Sequence, residues 1–304
     1  MPFIHFLPDD KIVEVKDGGS IRDAALKVGI RLAHVCGGKG RCSTCRILVL
    51  EGLENCSPRS DEEKDIASYL TFSPEVRLSC QTTVTGDVKV RRLTLDEYDI
   101  ELTSRFIMGE QAYLIGVEKH IFIMFVDISG FTAFSEPLLP YDVIHVLHRF
   151  FHLMNQVILR HSGYIDNYMG DGFMALFEAD NPEKGALSAV KSGLEMLDVL
   201  KDRVQPYVEN LFGKAFEIRI GLHHGLVVAG TIGGTGNEKT TVIGDAVNFA
   251  SRIESANKQM GTKFLISKDT YVKVANGVQV NRTLEIKITG KTGVHTLYEV
   301  VGLK

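Results

Sequence analysis

The chain of 304 residues carries 34 lysines and arginines against 38 aspartates and glutamates, a formal net charge of −4. This balance excludes a protein that binds nucleic-acid polymers through bulk positive charge. The hydrophobic fraction of 44% is enough for a core in each of two domains of ordinary size.

The apolar segments are too short to cross a membrane. The longest apolar run near the centre, Ile121–Val126, falls far below the about 20 residues that a span needs. Residues 1–10 lack the basic stretch and apolar core of a signal peptide. We therefore expect a cytoplasmic protein with no membrane span. Its five cysteines then serve metal or redox chemistry rather than disulfides.

The chain begins with short strands around a helical stretch. Phe3–Phe6 and Lys11–Val15 predict a hairpin. Ser20 stands where it can cap a short helix over Ile21–Val28.

A second short helix is predicted where an acidic run follows a serine. Ser60 with Glu63 three residues later predicts a capping box for a helix that ends near Leu70. The run Asp61–Glu63 then lies in the first turn, where carboxylates suit the helix dipole.

Four of the five cysteines form a pattern. Five residues separate Cys36 from Cys42, two separate Cys42 from Cys45, and 34 separate Cys45 from Cys80. Four thiolates are the number that a [2Fe–2S] cluster needs, and three close cysteines with one distant cysteine are the plant-type arrangement. The glycines of the loop Gly37–Arg41 permit positive φ and let backbone N–H groups turn toward cluster sulfides.

This pattern resembles the [2Fe–2S] ferredoxins, with the first gap closest to the adrenodoxin-like branch. The resemblance covers roughly residues 1–90 and implies a β-grasp domain with Cys36, Cys42, Cys45 and Cys80 as the cluster ligands. Zinc also accepts four thiolates, but it usually takes two CxxC arms and only one is present. Cys56 lies outside the pattern, and we expect it to be a buried structural thiol.

The chain from about residue 118 has stronger periodicity. Ile121–Val126 predicts a buried strand, and Tyr164–Met169 and Phe173–Phe177 flank the hairpin turn Gly170–Gly172. The other predicted elements are a helix with the apolar stripe Ile144, Leu147, Phe151, Met154 and Ile158, helices around Ala189–Leu200 and Ala246–Ala256, and strands over Phe216–Gly221, Leu226–Ile232 and Thr240–Ile243. Strands alternating with helices indicate a mixed α/β sandwich.

Two carboxylates stand at turns of this second region. Asp127 ends the buried strand, and Asp171 lies in the hairpin turn. If the two strands are neighbours in one sheet, both carboxylates face one metal site, with phosphate oxygens and water as the remaining ligands. The turn Ile128–Phe131 can present backbone N–H groups to a polyphosphate.

An amide and a guanidinium lie on one face of the predicted C-terminal helix. Asn248 and Arg252 are four residues apart, so they point the same way. Together they suit a ribose and a phosphate that gains charge during reaction.

These segments together resemble the class III adenylyl and guanylyl cyclases over roughly residues 117–304. The resemblance implies metal binding by Asp127, Ile128 and Asp171, ribose orientation by Asn248, and transition-state stabilisation by Arg252. It also implies two Mg²⁺ or Mn²⁺ ions and a homodimer whose two sites each take residues from both chains.

The nucleobase contacts implied by the resemblance are Asn167 and Thr241. Threonine at the second position resembles bicarbonate-responsive adenylyl cyclases. Adenylyl cyclases usually carry lysine at the first position and guanylyl cyclases glutamate, so Asn167 departs from both. An asparagine amide serves adenine or guanine. We expect ATP ahead of GTP as the substrate.

The triphosphate contacts implied by the resemblance lie in the turn after the first aspartate and near the C-terminus. The turn supplies Ser129, Gly130, Phe131 and Thr132. Lys291 is the preferred basic contact, with Lys287 second and Lys239 a third candidate from another loop.

The sequence therefore predicts an α+β chain with a ferredoxin domain over 1–92, a linker over 93–117 and a cyclase domain over 118–304. We expect an adenylyl cyclase regulated by its cluster, with a possible redox partner. The alternatives are a guanylyl cyclase, or an electron-transfer ferredoxin whose weakly active cyclase-like domain dimerises it.

Overall fold

The structure, a computed structural model, describes residues 1–33, 36–70, 72–93, 117–233, 237–288 and 291–304. The chain divides into two compact units, residues 1–118 with 230–240 and residues 119–229 with 241–304. The predicted linker over residues 93–117 lies outside the described residues, except for its two end residues.

The first unit contains a mixed five-stranded sheet. The seven strands of this unit, in chain order, are β1 (Phe3–Leu7), β2 (Lys11–Glu14), β3 (Gly19–Ser20), β4 (Arg46–Glu51), β5 (Val76–Leu78), β6 (Thr83–Val84) and β7 (Val88–Arg92). The sheet order is β2-β1-β7-β4-β5, and β3 pairs with β6 apart from it. The predicted hairpin at the start of the chain is confirmed, since β1 pairs antiparallel with β2.

Two helices complete the first unit, α1 (Ile21–Lys27) and α2 (Asp61–Tyr69). The predicted cap of α1 is confirmed, because Ser20 Oγ accepts from the backbone N–H of Asp23 at 3.5 Å. Ile21 and Ala25 pack against Phe6 and Val90 of the sheet. A mixed sheet with a helix on one face is the α+β arrangement predicted for this domain.

The second region is one large sheet with helices. Its strands are β8 (Val117–Ser129), β9 (Gly163–Met169), β10 (Gly172–Phe177), β11 (Glu217–Ile232), β12 (Lys239–Ile243), β13 (Phe264–Ser267), β14 (Val278–Ile286) and β15 (His295–Leu303). Its helices are α3 (Phe131–Ser135), α4 (Pro140–Arg160), α5 (Pro182–Val199), α6 (Gln205–Phe212), α7 (Asp245–Met260) and α8 (Lys268–Val274), with a π-helical segment at Leu200–Val204. The sheet order is β14-β15-β13-β11-β8-β10-β9, with β12 paired to β11.

Side chains alternate between the two faces of this sheet. Met124 and Phe173 pack with Phe150 of α4 on one side, which we name the α4/α5 face. Ile123 and Met174 pack with Ala250 of α7 on the other side, the α7 face. Helices covering both faces of the sheet confirm the predicted α/β sandwich.

Two sequence predictions for this region are wrong in detail. The predicted stripe of α4 is wrong at its first residue, since Ile144 is 62% exposed, whereas Met154 and Ile158 are buried and Leu147 and Phe151 pack against the core. The strands predicted separately over Phe216–Gly221 and Leu226–Ile232 form the single strand β11. The residues between the two predicted strands, including His223 and His224, belong to this strand.

Candidate functional site

The four patterned cysteines lie on the loop before β4 and in the turn after β5. The Sγ atoms of Cys45 and Cys80 are 3.3 Å apart, and Cys42 Sγ lies 3.1 Å from Thr44 Oγ1. The positive φ predicted for the loop glycines is confirmed, with values of 71°, 85° and 64° for Gly37, Gly38 and Gly40.

The surroundings of these thiols fit a [2Fe–2S] cluster. Gly38 lies beside the Arg22 guanidinium, and a Cβ on it would be 3.8 Å from Cys80 Cβ; its φ of +85° makes any side chain at this position strained. Arg22 Nε and Ser79 Oγ are buried without a hydrogen-bond partner in the described part of the chain. The four thiols are enough ligands for two irons. The two buried polar atoms beside them are available to hydrogen-bond the cluster.

Two thiols of the set, Cys36 and Cys80, have a lowered pKa. The pKa of Cys80 is lowered to about 6, first by the hydrogen bond from Cys45 and, against the opposing effect of burial, by Gln81 and the backbone of Gly40. The same hydrogen bond raises the pKa of Cys45, and burial raises that of Cys42, so the four thiols differ in how readily they form the thiolate that iron ligation needs.

A buried ion pair holds the strand that leads to Cys80. The Glu63 carboxylate is 0% exposed and accepts from Arg77 Nε and Nη2, both at 2.9 Å. The backbone N–H of Leu78 also donates to Glu63, at 2.7 Å. The predicted capping box is therefore only half right. Ser60 accepts from the N–H of Glu63, but the Glu63 side chain turns inward to β5.

Cys56 is separate from this set. It is half-buried rather than buried, its thiol lies 3.9 Å from the carbonyl of Gly52, and burial raises its pKa. Its structural role stays a prediction.

The two predicted aspartates come together because β8 and β10 are neighbours. Phe173 pairs with Val126, which places Gly172 opposite Asp127. A Cβ on Gly172 would lie 3.1 Å from Asp127 Oδ1, and Asp171 is the adjacent residue. Burial and then the charge of Asp127 raise the pKa of Asp171, since two close carboxylates resist ionising together.

Sequence reasoning missed an arginine that joins this site. Arg219 on β11 donates to Asp127 Oδ2 at 2.6 Å and to Glu254 of α7 at 2.8 Å. The only signal was a cation inside the otherwise apolar run Ile218–Leu222. One guanidinium faces the carboxylates of Asp127, Asp171 and Glu254, so the site carries excess negative charge.

The negative charge and the two carboxylates of this site fit divalent cations whose coordination is completed by other ligands. Two carboxylates are too few for an octahedral Mg²⁺. No group of three His, Cys, Asp or Glu side chains in the described ranges is arranged to hold a metal by itself. Phosphate oxygens and water would supply the rest. The Ile128 side chain is 1% exposed in the core, so only its backbone is available to such a site.

The turn after Asp127 is open on one side. Ser129 ends β8, and Gly130 has φ +76° with nothing within 4 Å of an added Cβ. Phe131 and Thr132 begin α3. The phosphate role of this turn stays a prediction.

Asn248 and Arg252 lie exposed on one face of α7, as their spacing predicts. Within the described residues, no hydrogen bond or ion pair joins either side chain to Asp127 or Asp171. One chain therefore presents the two halves of the predicted site without connecting them.

The predicted basic residues differ in their surroundings. Lys291 forms an ion pair with Asp245 and lies 5.2 Å from the ring centre of Phe249. Lys287 and Lys239 are exposed.

The two predicted base contacts lie on β9 and β12. Asn167 is opposite Met174 of β10, and Thr241 donates from Oγ1 to Asp166 Oδ2 at 2.6 Å. Sequence reasoning did not identify Asp166.

Residues 116–301 match the family model of the adenylate and guanylate cyclase catalytic domain, over more than half of the chain. The chain belongs to this family. Residues 4–85 match the model of the 2Fe–2S iron–sulfur cluster binding domain, which confirms the predicted pairing of a ferredoxin domain with a class III cyclase domain.

Adenylyl cyclases and a guanylyl cyclase both resemble the cyclase region. An adenylate cyclase of Anabaena cylindrica is 33% identical over 217 residues, covering 68% of this chain and 43% of that protein. The solved guanylyl cyclase Cya2 is 35% identical with a TM-score of 0.58, covering 62% of this chain and 95% of that one. The adenylyl cyclase CyaB from P. aeruginosa is 30% identical with a TM-score of 0.57, covering 61% and 95%.

The chain spans less than half the length of the curated adenylate cyclases it matches, including 28% of adenylate cyclase 1 of Rhizobium meliloti. Among the helices that the structure describes, none combines the length and apolar character needed to cross a membrane.

Proposed function

We propose that this chain is an adenylyl cyclase that converts ATP to 3′,5′-cyclic AMP and pyrophosphate. The observation that carries the proposal is the pairing of β8 with β10, which brings Asp127 beside Asp171 in a site of excess negative charge. The names of the Anabaena and Rhizobium relatives support the same activity.

In this reaction the ribose 3′-oxygen attacks the α-phosphorus, the bond to pyrophosphate breaks, and the hydroxyl proton passes to solvent. Bound Mg²⁺ or Mn²⁺ would acidify the 3′-hydroxyl and offset the charge of the triphosphate. Asp127 and Asp171 would hold these ions. Arg219 keeps Asp127 in position through their 2.6 Å contact and offsets part of the charge before substrate binds.

The remaining residues act by orientation and charge. Asn248 would hold the ribose so that its 3′-oxygen faces the phosphorus. Arg252 would neutralise the charge that develops on the α-phosphate. Both are exposed and separate from the aspartates of their own chain, which supports a homodimer with two shared sites.

A guanylyl cyclase is the second candidate. It is favoured by the guanylyl cyclase Cya2, 35% identical to this chain, and by Asn167, whose amide pairs with either base. Thr241 favours ATP.

We further propose that the [2Fe–2S] cluster regulates the cyclase. The cluster would supply one-electron redox chemistry. A coupling free energy of about 1–3 kcal/mol between the two regions is enough to change activity severalfold or more. The opposing hypothesis is a ferredoxin that transfers electrons and uses a weakly active cyclase domain to dimerise.

One assay tests these proposals. Cyclic nucleotide formation is measured with ATP and with GTP, with Mg²⁺ and with Mn²⁺, on oxidised, dithionite-reduced and cluster-free protein. We expect cyclic AMP as the main product and different rates in the three states. A preference for GTP would contradict the substrate, and equal rates in all three states would contradict the regulation while leaving the cyclase intact.

A further inference from the structure

Strand β9 contains a β-bulge at the residue before Asn167. Asn167 is opposite Met174 and Ile165 is opposite Ala175, so Asp166 has no residue opposite it on β10. A bulge of this kind re-aims side chains and occurs often beside active sites.

The bulge interrupts the regular alternation of side chains along β9. Ile165 packs into the α4/α5 face, whereas Asn167 shares the α7 face with its partner Met174, since opposed residues lie on one face. Asp166 would point away from Asn167 in a regular strand. At the bulge this alternation is broken, and the Asp166 carboxylate reaches Thr241 on β12.

The hydrogen bond between these residues has a defined direction. A carboxylate only accepts, so the Thr241 hydroxyl donates its single proton to Asp166, at 2.6 Å. Toward any other partner Thr241 Oγ1 then offers lone pairs alone. Thr241 becomes an acceptor for a donor on the ligand.

This direction distinguishes the two purine bases. Adenine carries an amino donor at its 6-position, and guanine carries a carbonyl acceptor there. Lone pairs on Thr241 pair with the first and repel the second. The amide of Asn167 turns to match either base, so it does not make the choice.

We propose that Asp166 is a positioning residue that selects adenine by fixing Thr241 as an acceptor. The inference rests on the proposed function, in which Thr241 contacts the base. It adds the group that decides between ATP and GTP, a decision that Asn167 leaves open.

The test compares kcat/KM for ATP and for GTP in the full-length holoprotein. In Asp166→Asn the new amide can donate to Thr241 Oγ1 and free the hydroxyl proton, so Thr241 donates or accepts. We expect the ATP-to-GTP ratio of kcat/KM to fall about tenfold, the size of one hydrogen bond. Asp198→Asn, an exposed aspartate on α5, is the matched control and keeps the ratio.

Thr241→Val gives an independent measurement from the other side of the bond. It removes the acceptor, so the ratio falls, and adding Asp166→Asn to it produces no further change. If Asp166→Asn lowers both kcat/KM values equally and keeps the ratio, the residue is only structural and the proposal is overturned. A further fall of the ratio in the double variant overturns it as well.

Failure of the proposed function has a different signature. If the unmodified chain forms neither cyclic nucleotide, the proposed activity fails, and the same ratio is read from equilibrium binding of ATP and GTP to the three variants. If the unmodified chain binds and converts GTP in preference, both the proposed substrate and the role of Asp166 are overturned.

Discussion

The cysteine site and the carboxylate site differ in how much of each a single chain provides. All four cysteines lie in the first unit, and the buried Glu63–Arg77 pair holds the strand that carries Cys80 toward the others. In the second unit Asp127 and Asp171 are adjacent, but Asn248 and Arg252 stand exposed without contact to them in the described residues.

This difference follows from the two chemistries. A cluster needs four thiolates around a small volume, which one loop and one distant turn supply. A nucleoside triphosphate is long and presents metal, phosphate, ribose and base contacts, so its site can be divided between two copies of a chain. The first site thus has all its predicted ligands in one chain, whereas under the proposed function the second is shared between two copies.

The largest expected effect tests this division. Asp127→Ala and Arg252→Ala should each lower cyclase activity on the order of 10³-fold, because one loses a metal ligand and the other a transition-state cation. Mixing the two proteins should restore about a quarter of the unmodified activity, since random dimers leave one site in four with neither change.

A matched pair controls the mixing experiment. Asp127→Ala mixed with Asp171→Ala should stay inactive. Both aspartates of a site come from the same chain, so every site in this mixture lacks one of them. Recovery in this mixture, or no recovery in the first one despite demonstrated subunit exchange, would contradict the shared site.

A smaller effect is expected from the ion pair beneath the cysteine site. Glu63→Gln leaves Arg77 buried with a charge that is no longer balanced, and we expect it to lower the free energy of unfolding of the first unit by about 3–5 kcal/mol. Denaturant titration followed by the visible absorbance of the cluster measures the change. Asp65→Asn, exposed on α2, is the control, and equal midpoints for the two variants would contradict the prediction.

A pH effect is expected from a buried histidine of the second unit. His223 is 7% exposed, and burial lowers its pKa from 6.5 to about 4, against the weaker opposing effect of Asp269. The folded chain thus favours neutral His223. The free energy of unfolding is therefore highest above pH 6.5, the pKa in the unfolded chain. It falls by at most about 3 kcal/mol as the pH drops from 6.5 through 4.

His223→Asn should reduce this fall in the free energy of unfolding, measured by unfolding curves at a series of pH values between neutral and pH 4. Part of the fall remains, because burial also lowers the pKa of His224 to about 4. His148→Asn, exposed on α4, should keep the profile of the unmodified chain. A profile in His223→Asn as steep as that of the control would exclude this source of acid sensitivity.

The smallest effect concerns the phosphate end of the carboxylate site. Lys291→Gln should raise KM for the nucleotide about three- to tenfold, the size of a lost hydrogen bond. Its stability should change by about 1 kcal/mol, since it loses an ion pair with the exposed Asp245 and a cation–π contact with Phe249. Lys287→Gln is the comparison variant, and a larger rise in KM there would assign the phosphate contact to Lys287.

The features that the sequence predicted depend on short windows. The cysteine spacing identifies the ligands, the glycines between them show their positive φ, and Ser20 and Ser60 cap helices as local hydrogen bonding dictates. The hairpin around Asp171 also follows from neighbouring residues. In each of these cases the interacting groups are close in the chain, so the pattern contains the geometry.

The remaining features required the strands to be assembled. The pairing of β8 with β10 joined Asp127 to Asp171, and the same sheet brought Arg219 from β11 to Asp127 across 92 residues. Glu63 left its expected cap because a buried arginine on β5 stabilises its charge more than a helix end does.

Asp166 is the plainest case. The sequence alone placed it in the strand predicted over Tyr164–Met169 without assigning it a role, and only the assembled sheet shows the one-residue bulge and the hydrogen bond from Thr241. Residue chemistry therefore determined which groups this protein has for binding iron, cations and a nucleotide. Only the tertiary structure decided which of them meet, because charge pairing and strand register act between residues that are distant in the chain.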